Sequence, residues 1–230
     1  MTIAGLQKLT LLDFPGKLAC TVFMAGCNFR CPFCYNAPLV FCREEACLNL
    51  SEEEFFAFLD SRKGMLEGVC ITGGEPLLSD ISAFAHGIKS RGFALKLDTN
   101  GSFPARLRAL VEEGLLDYVA MDVKNCLSRY GETVGLAQFD TAPIEESVAF
   151  LKEGRVPFEF RTTVCRELHG AEELSSLAKL IAGAPHYYIQ NYNREGEHIG
   201  EELTPYNKED LESLLPLVAP HVGEVTLRGI

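Results

Sequence analysis

Gly26-Cys27-Asn28-Phe29-Arg30-Cys31-Pro32-Phe33-Cys34 places three thiols in one short loop, directly after an apolar stretch at 18–24. Soft thiolates hold zinc or an iron–sulfur cluster, and a cubane has more irons than this loop has thiols. One iron is then open to a small molecule carrying an amine and a carboxylate. Two other readings fit the loop taken alone. A closed zinc site would recruit Cys20, Cys42 or Cys47 as fourth ligand. A thioredoxin-like pair would use Cys31-Pro32-Phe33-Cys34 and leave Cys27 surplus.

Outward from the loop, strand-like and helix-like segments alternate. Strands are expected at 18–24, 68–72, 94–98, 118–124, 158–164, 187–191 and 224–227. Helices are expected at 51–62, 81–91, 104–113, 144–153, 171–182 and 208–218. The first opens with Ser51 followed by Glu54, the spacing of a capping box. A β-then-α order repeated in this way predicts an α/β fold with a parallel sheet and right-handed crossovers, either an open barrel or a doubly wound sheet. Unusual residues collect at the C-terminal ends of the first five strands: the cysteine loop, Gly73–Pro76, Asp98–Gly101, Asp122–Lys124 and Arg161–Thr163. In a barrel these ends share one mouth, where active sites are built.

The 230 residues are 47% hydrophobic, enough for one core, so a single domain over 1–230 is expected. The formal charge of −11 argues against nucleic acid as a partner. No signal-like start and no stretch long enough to span a bilayer is visible, so no membrane partner is expected and a cytoplasmic location is. The nine cysteines then suit metal or redox chemistry better than disulfides.

Cys-x3-Cys-x2-Cys after the first strand, with Gly73-Gly74-Glu75-Pro76 after the second, resembles the radical S-adenosylmethionine (SAM) superfamily. The resemblance implies a partial (β/α)6 parallel barrel. It also implies a [4Fe–4S] cluster on Cys27, Cys31 and Cys34, and reductive cleavage of SAM to a 5′-deoxyadenosyl radical. It assigns Phe33 to backbone contacts near the adenine, and Gly73, Gly74 and Glu75 to the methionyl amine. Asp98-Thr99-Asn100-Gly101 and Asp122-Val123-Lys124 resemble segments of the glycyl-radical-enzyme activating enzymes. There the two aspartates help bind a monovalent cation, and the lysine approaches SAM as a catalytic group. Arg161 stands where an arginine contacts the cofactor. The run from Gly5 to Lys17 is most similar to activating proteins of anaerobic ribonucleoside-triphosphate reductase, which makes that glycyl radical enzyme the implied partner and flavodoxin or ferredoxin the implied electron donor. Asp13-Phe14-Pro15-Gly16 and Tyr35 replace the Asp-Gly-Pro-Gly and His of better-known activases, and no ferredoxin-like insertion is present.

The same residues also have an independent reading. Gly73-Gly74 admits a close ligand or makes an ordinary turn, and Asn100-Gly101 alone reads as a hairpin turn. Lys96 with Asp98, Asp122 with Lys124, and Glu159 with Arg161 and Thr163 each share a strand face. Such inward charges serve a zwitterionic cofactor or an internal salt-bridge network. Gln190 contacts the adenosyl group or merely caps a strand. The five histidines show no ligand spacing and read as surface or helix-end residues. The connection 125–142, with Arg129, Tyr130 and two glycines, suggests a lid or a docking loop. Beside the activase stand a radical enzyme acting on a small molecule or peptide, and a noncatalytic metal or electron-transfer protein.

Overall fold

The computed structural model describes residues 1–42 and 50–230. Cys47, a candidate fourth ligand in the zinc reading, lies outside the described residues. One sheet holds the eight strands in chain order. They are β1 (Ile3–Thr10), β2 (Ala19–Met24), β3 (Gly68–Gly73), β4 (Ala94–Thr99), β5 (Tyr118–Asp122), β6 (Phe158–Val164), β7 (His186–Asn191) and β8 (Glu224–Arg228). β2 to β8 run parallel, whereas β1 pairs antiparallel with β2. A doubly wound sheet reverses its strand order at a switch point. The order here never reverses, so each crossover turns the same way and the sheet curls into a partial barrel, with β1 and β8 as its edges.

The helices are α1 (Ala37–Val40), α2 (Glu52–Ser61), α3 (Ser82–Lys89), α4 (Pro104–Glu112), α5 (Tyr130–Thr133), α6 (Ala142–Lys152), α7 (Ala171–Leu180) and α8 (Lys208–Val218). Ser51 caps α2 with the expected box: its hydroxyl accepts from Glu54 N–H at 3.1 Å, and Glu54 accepts from Ser51 N–H at 2.9 Å. Strand residues alternate as the pleat demands. Val69, Ile71, Leu95, Leu97, Val119 and Met121 join the hydrophobic core. Their neighbours Thr72, Lys96, Asp98 and Asp122 line the barrel interior instead.

All seven strands read from the sequence are present. β1 was not among them, because its burial follows no two-residue period: Ile3 and Ala4 are both buried and Gln7 to Leu9 are exposed. Register shifts on both sides of its central pairs produce that irregularity. Nor is the 125–142 connection a loose lid. It folds into a 3₁₀ turn at Leu127–Arg129 and then α5, and it buries Tyr130, Thr133 and Val134 completely. The histidine reading also needs correction at one position, since His169 is fully buried. Its Nδ1 accepts from Cys165 N–H at 3.2 Å, and its Nε2 lies 2.8 Å from the Lys124 carbonyl, so it ties the end of β6 to the end of β5. Among the described residues no helix is long and apolar enough to cross a membrane.

Candidate active site

The barrel encloses a cavity of about 880 Å³, lined on one wall by Cys27, Cys31, Phe33 and Cys34. The cysteine loop is held there by three close backbone approaches. Below it, Glu75 N–H donates to the Gly26 carbonyl at 2.8 Å. A Cβ at Gly74 would stand 1.9 Å from the same oxygen, so only glycine fits. On one flank Arg30 N–H donates to the Val134 carbonyl at 2.8 Å. There Gly135, at φ +69°, would bring a Cβ within 2.3 Å of the Arg30 carbonyl. On the other flank Gly200 N–H donates to Pro32 O at 3.1 Å. Aromatic packing backs the second contact: Phe29 meets Phe139 edge-on at 5.3 Å, and Phe139 stacks on Tyr130 at 5.5 Å. The connection expected to be a lid is therefore a buttress.

The next two loops are laced to the first. Asn100 Nδ2 donates to Asn28 Oδ1 at 3.0 Å, and Asn28 Nδ2 donates to Ser102 Oγ at 3.0 Å. Glu75 is 1% exposed and lies behind the cavity wall rather than on it. It accepts from Thr99 Oγ1 at 2.8 Å, Asn100 N–H at 2.6 Å and Leu77 N–H at 3.0 Å. Burial pushes its carboxyl up to about 7 while these donors pull it down. The side chain expected at the methionyl amine thus positions the Thr99–Asn100 turn. Gly73, Gly74, Thr99, Asn100 and Gln190 do line the cavity.

Along the cavity wall, ending beside the thiols, runs a chain of five charges alternating in sign. Lys96 Nζ bonds Asp98 Oδ1, and Arg161 Nη1 lies 3.1 Å from Asp98 Oδ2. Arg161 Nε lies 2.8 Å from Asp122 Oδ1, and Lys124 Nζ lies 3.0 Å from Asp122 Oδ2. Burial alone would raise the Asp122 pKa, but Arg161 and Lys124 outweigh it and hold the carboxyl at about 2. Lys124 is pushed above its ordinary value by Asp122 and Cys31, against the effect of its own burial. All four oxygens of Asp98 and Asp122 face a cationic nitrogen. The chain carries one excess positive charge, suited to an anionic group among the thiols.

The thiols fit an iron–sulfur cluster. They are unpaired and share one cavity, and Cys27 Sγ accepts from Phe29 N–H at 3.4 Å and lies 4.0 Å from Asn100 Nδ2. Burial pushes Cys27 up to about 11 and Cys31 up to about 12, so loading a cluster must displace their protons. Among the described residues no three His, Cys, Asp or Glu side chains gather around a single ion, and neither Cys20 nor Cys42 lines the cavity. A closed zinc site thus finds no ligand set among them.

Among the cavity residues to which the sequence reading gave no site role are Thr21, Ile199 and Arg228, and Tyr35, named there only as a departure from the activase pattern. Tyr35 adjoins the last cysteine, which was a usable signal. Arg228 lies one residue beyond the expected end of β8, and the alternation of Glu224, Thr226 and Arg228 was the clue to it.

The comparisons with known proteins agree with this geometry. The model of the Radical SAM superfamily matches residues 21–168. A Methanocaldococcus jannaschii protein, provisionally assigned as a glycyl-radical enzyme activating enzyme, is 29% identical over 99% of this chain and 96% of its own length. The pyruvate formate-lyase-activating enzyme of Listeria monocytogenes is 25% identical over 80% of this chain and 77% of its own. Among solved structures, Streptococcus suis SuiB bound to S-adenosylmethionine superposes with a TM-score of 0.69 at 14% identity, covering 91% of this chain. The chain spans about half of that structure's length (52%), and the likeness is one of fold.

Two outcomes follow. Gly135→Ala should lower the iron content of the reconstituted protein severalfold while circular dichroism shows the barrel intact, because the added methyl displaces the Arg30 carbonyl. Asp122→Asn should destabilise the protein by about 3–5 kcal/mol at pH 7, the usual cost of breaking a buried pair. Asp122 is depressed in the folded state, so its contribution is present above the unfolded carboxyl value near 4 and is lost as pH falls toward 2. The gap between wild type and variant in urea unfolding should therefore shrink across that window.

Proposed function

The chain belongs to the radical SAM superfamily, enzymes that cleave S-adenosylmethionine at a [4Fe–4S] cluster, and from that premise we propose that it installs a glycyl radical on a partner enzyme. The observation that carries this reading is the likeness, over nearly the whole of both chains, to the archaeal protein assigned as a glycyl-radical enzyme activating enzyme. The N-terminal run from Gly5 to Lys17 supports anaerobic ribonucleoside-triphosphate reductase as the partner, with flavodoxin or ferredoxin as electron donor.

In this reading Cys27, Cys31 and Cys34 would hold the [4Fe–4S] cluster. When bound, the cluster would pass an electron from the donor protein to SAM and so supply the adenosyl radical that takes hydrogen from a glycine Cα. The protein's own work is placement. Gly73 and Gly74 present backbone without side chains, so the methionyl end can approach closely. Phe33, 4% exposed, closes the wall toward the adenine and keeps water from it. Lys124 holds positive charge beside the thiols, and Arg161 fixes the two aspartates that face the cofactor. Glu75 positions Thr99 and Asn100 from behind.

The test is anaerobic reconstitution, strong reduction, and analysis by electron paramagnetic resonance and chromatography. The expected outcome is 5′-deoxyadenosine together with a glycyl doublet on anaerobic ribonucleotide reductase. Formation of 5′-deoxyadenosine with no radical on that or any other glycyl radical enzyme would overturn the reading and favour a small-molecule or free-peptide substrate.

A further inference from the structure

Glu159, on β6, is 1% exposed yet lines the cavity. Tyr118 donates its hydroxyl to Glu159 Oε2 at 2.9 Å. Oε1 has no hydrogen-bond partner among the described residues, and its nearest cation, Arg228 Nη1, stands 3.9 Å away. Arg228 lies on β8 with its guanidinium carbon 3.6 Å from the centroid of the Tyr188 ring. None of its N–H groups makes a hydrogen bond among the described residues. A guanidinium flat on a ring is fixed in orientation, and its donors then project from its edge. The pair is thus a long ion pair with no hydrogen bond between its members, an acceptor and donors that both line the cavity.

We propose that Glu159 and Arg228 form an anchoring pair that grips the main chain of a glycine-bearing peptide segment next to the cofactor. An extended residue presents its N–H and C=O on the same side, which is how antiparallel partners exchange two hydrogen bonds. Glu159 Oε1 meets the N–H and Arg228 meets the C=O, so the two side chains stand in for a strand edge. Glu159 lies two residues before Arg161 on the same strand face, about 6.6 Å further from the cysteine loop at the usual strand rise. Arg228 pairs in register with Gln190, and Gln190 with Thr163, so its side chain reaches back past Tyr188 toward Glu159 and the anchor runs alongside the cofactor zone. Access is available, because the sheet ends at β1 and β8, and Gln7 on one edge strand and Arg228 on the other both line the cavity. A volume of about 880 Å³ lies near the top of the roughly 300–1,000 Å³ range of ligand pockets, which leaves room for a short segment beside a nucleoside cofactor. Glycine suits the anchor because, without a Cβ, its main chain can come closest to both side chains.

The inference rests on the activase reading for the identity of the segment, and its test separates the two. The probe is N-acetylglycine N-methylamide with deuterium at Cα. Its binding to the cluster-loaded, SAM-bound enzyme is measured by ligand-observed NMR, and deuterium in 5′-deoxyadenosine is measured after reduction. We expect Arg228→Ala and Glu159→Gln each to weaken probe binding at least tenfold, and the double variant no further than the weaker single. SAM affinity should stay within about twofold. Arg228→Lys, which keeps the charge but loses the fork, should bind intermediately and covers the case of an unstable alanine variant. No binding by the wild type, or equal binding by wild type and the Arg228 variants, overturns the anchor. Unchanged or tighter binding in Glu159→Gln also overturns it, since the Glu159 carboxylate then accepts nothing from the segment. If the wild type and variants bind as expected but no deuterium is transferred, the anchor stands and the activase reading fails.

Discussion

Five charges inside a barrel impose the constraint on which the rest of this structure depends. Lys96, Asp98, Arg161, Asp122 and Lys124 come from three neighbouring strands and the turn after β5, and each is tolerated only because the next has opposite sign. Removing an ion from water costs several kcal/mol even after relaxation, so no member can be withdrawn without leaving its partner stranded. The chain thereby adds to the register of β4, β5 and β6 that the alternation of core and cavity faces already sets. Its last member, Lys124, brings positive charge to the buried thiols and offsets part of the burial that raises their pKa.

Against this charged wall the cysteine loop is set by sterics. Gly74, Gly135 and Gly200 each face the loop at a distance that no side chain permits, and Asn28, Asn100 and Glu75 stitch it to the turns that follow. The two devices are complementary. Glycine contacts fix where the thiols stand, while paired charges fix the field they meet. Polar groups in such a site are already oriented before any ligand arrives, the arrangement from which electrostatic preorganisation draws its strength.

Much of this was legible in the sequence because it is local. Thiol spacing, the double glycine, the charged residues two apart on strands and the Ser51–Glu54 cap all declare themselves within a few residues. β1 was illegible because its irregular pairing erases the alternation that marks a strand. The buttressing role of the 125–142 connection depends on contacts with Arg30, about a hundred residues away in sequence, which no local pattern encodes. Glu75 shows a subtler limit. Its neighbours announce a ligand loop, yet whether a carboxylate faces the ligand or the turn behind it is decided by one rotamer. His169 likewise earns its burial from two backbone groups that the fold alone brings together.

The central claim is that three thiols hold a cluster with one open iron, facing a prearranged charge chain. The most direct measurement is the electron paramagnetic resonance spectrum of the anaerobically reconstituted, reduced protein before and after SAM is added, for wild type and Cys42→Ala alike. The account predicts a clear change of spectrum on adding SAM in both proteins. A spectrum indifferent to SAM, with Cys42→Ala losing its iron as fully as Cys31→Ala, would contradict it.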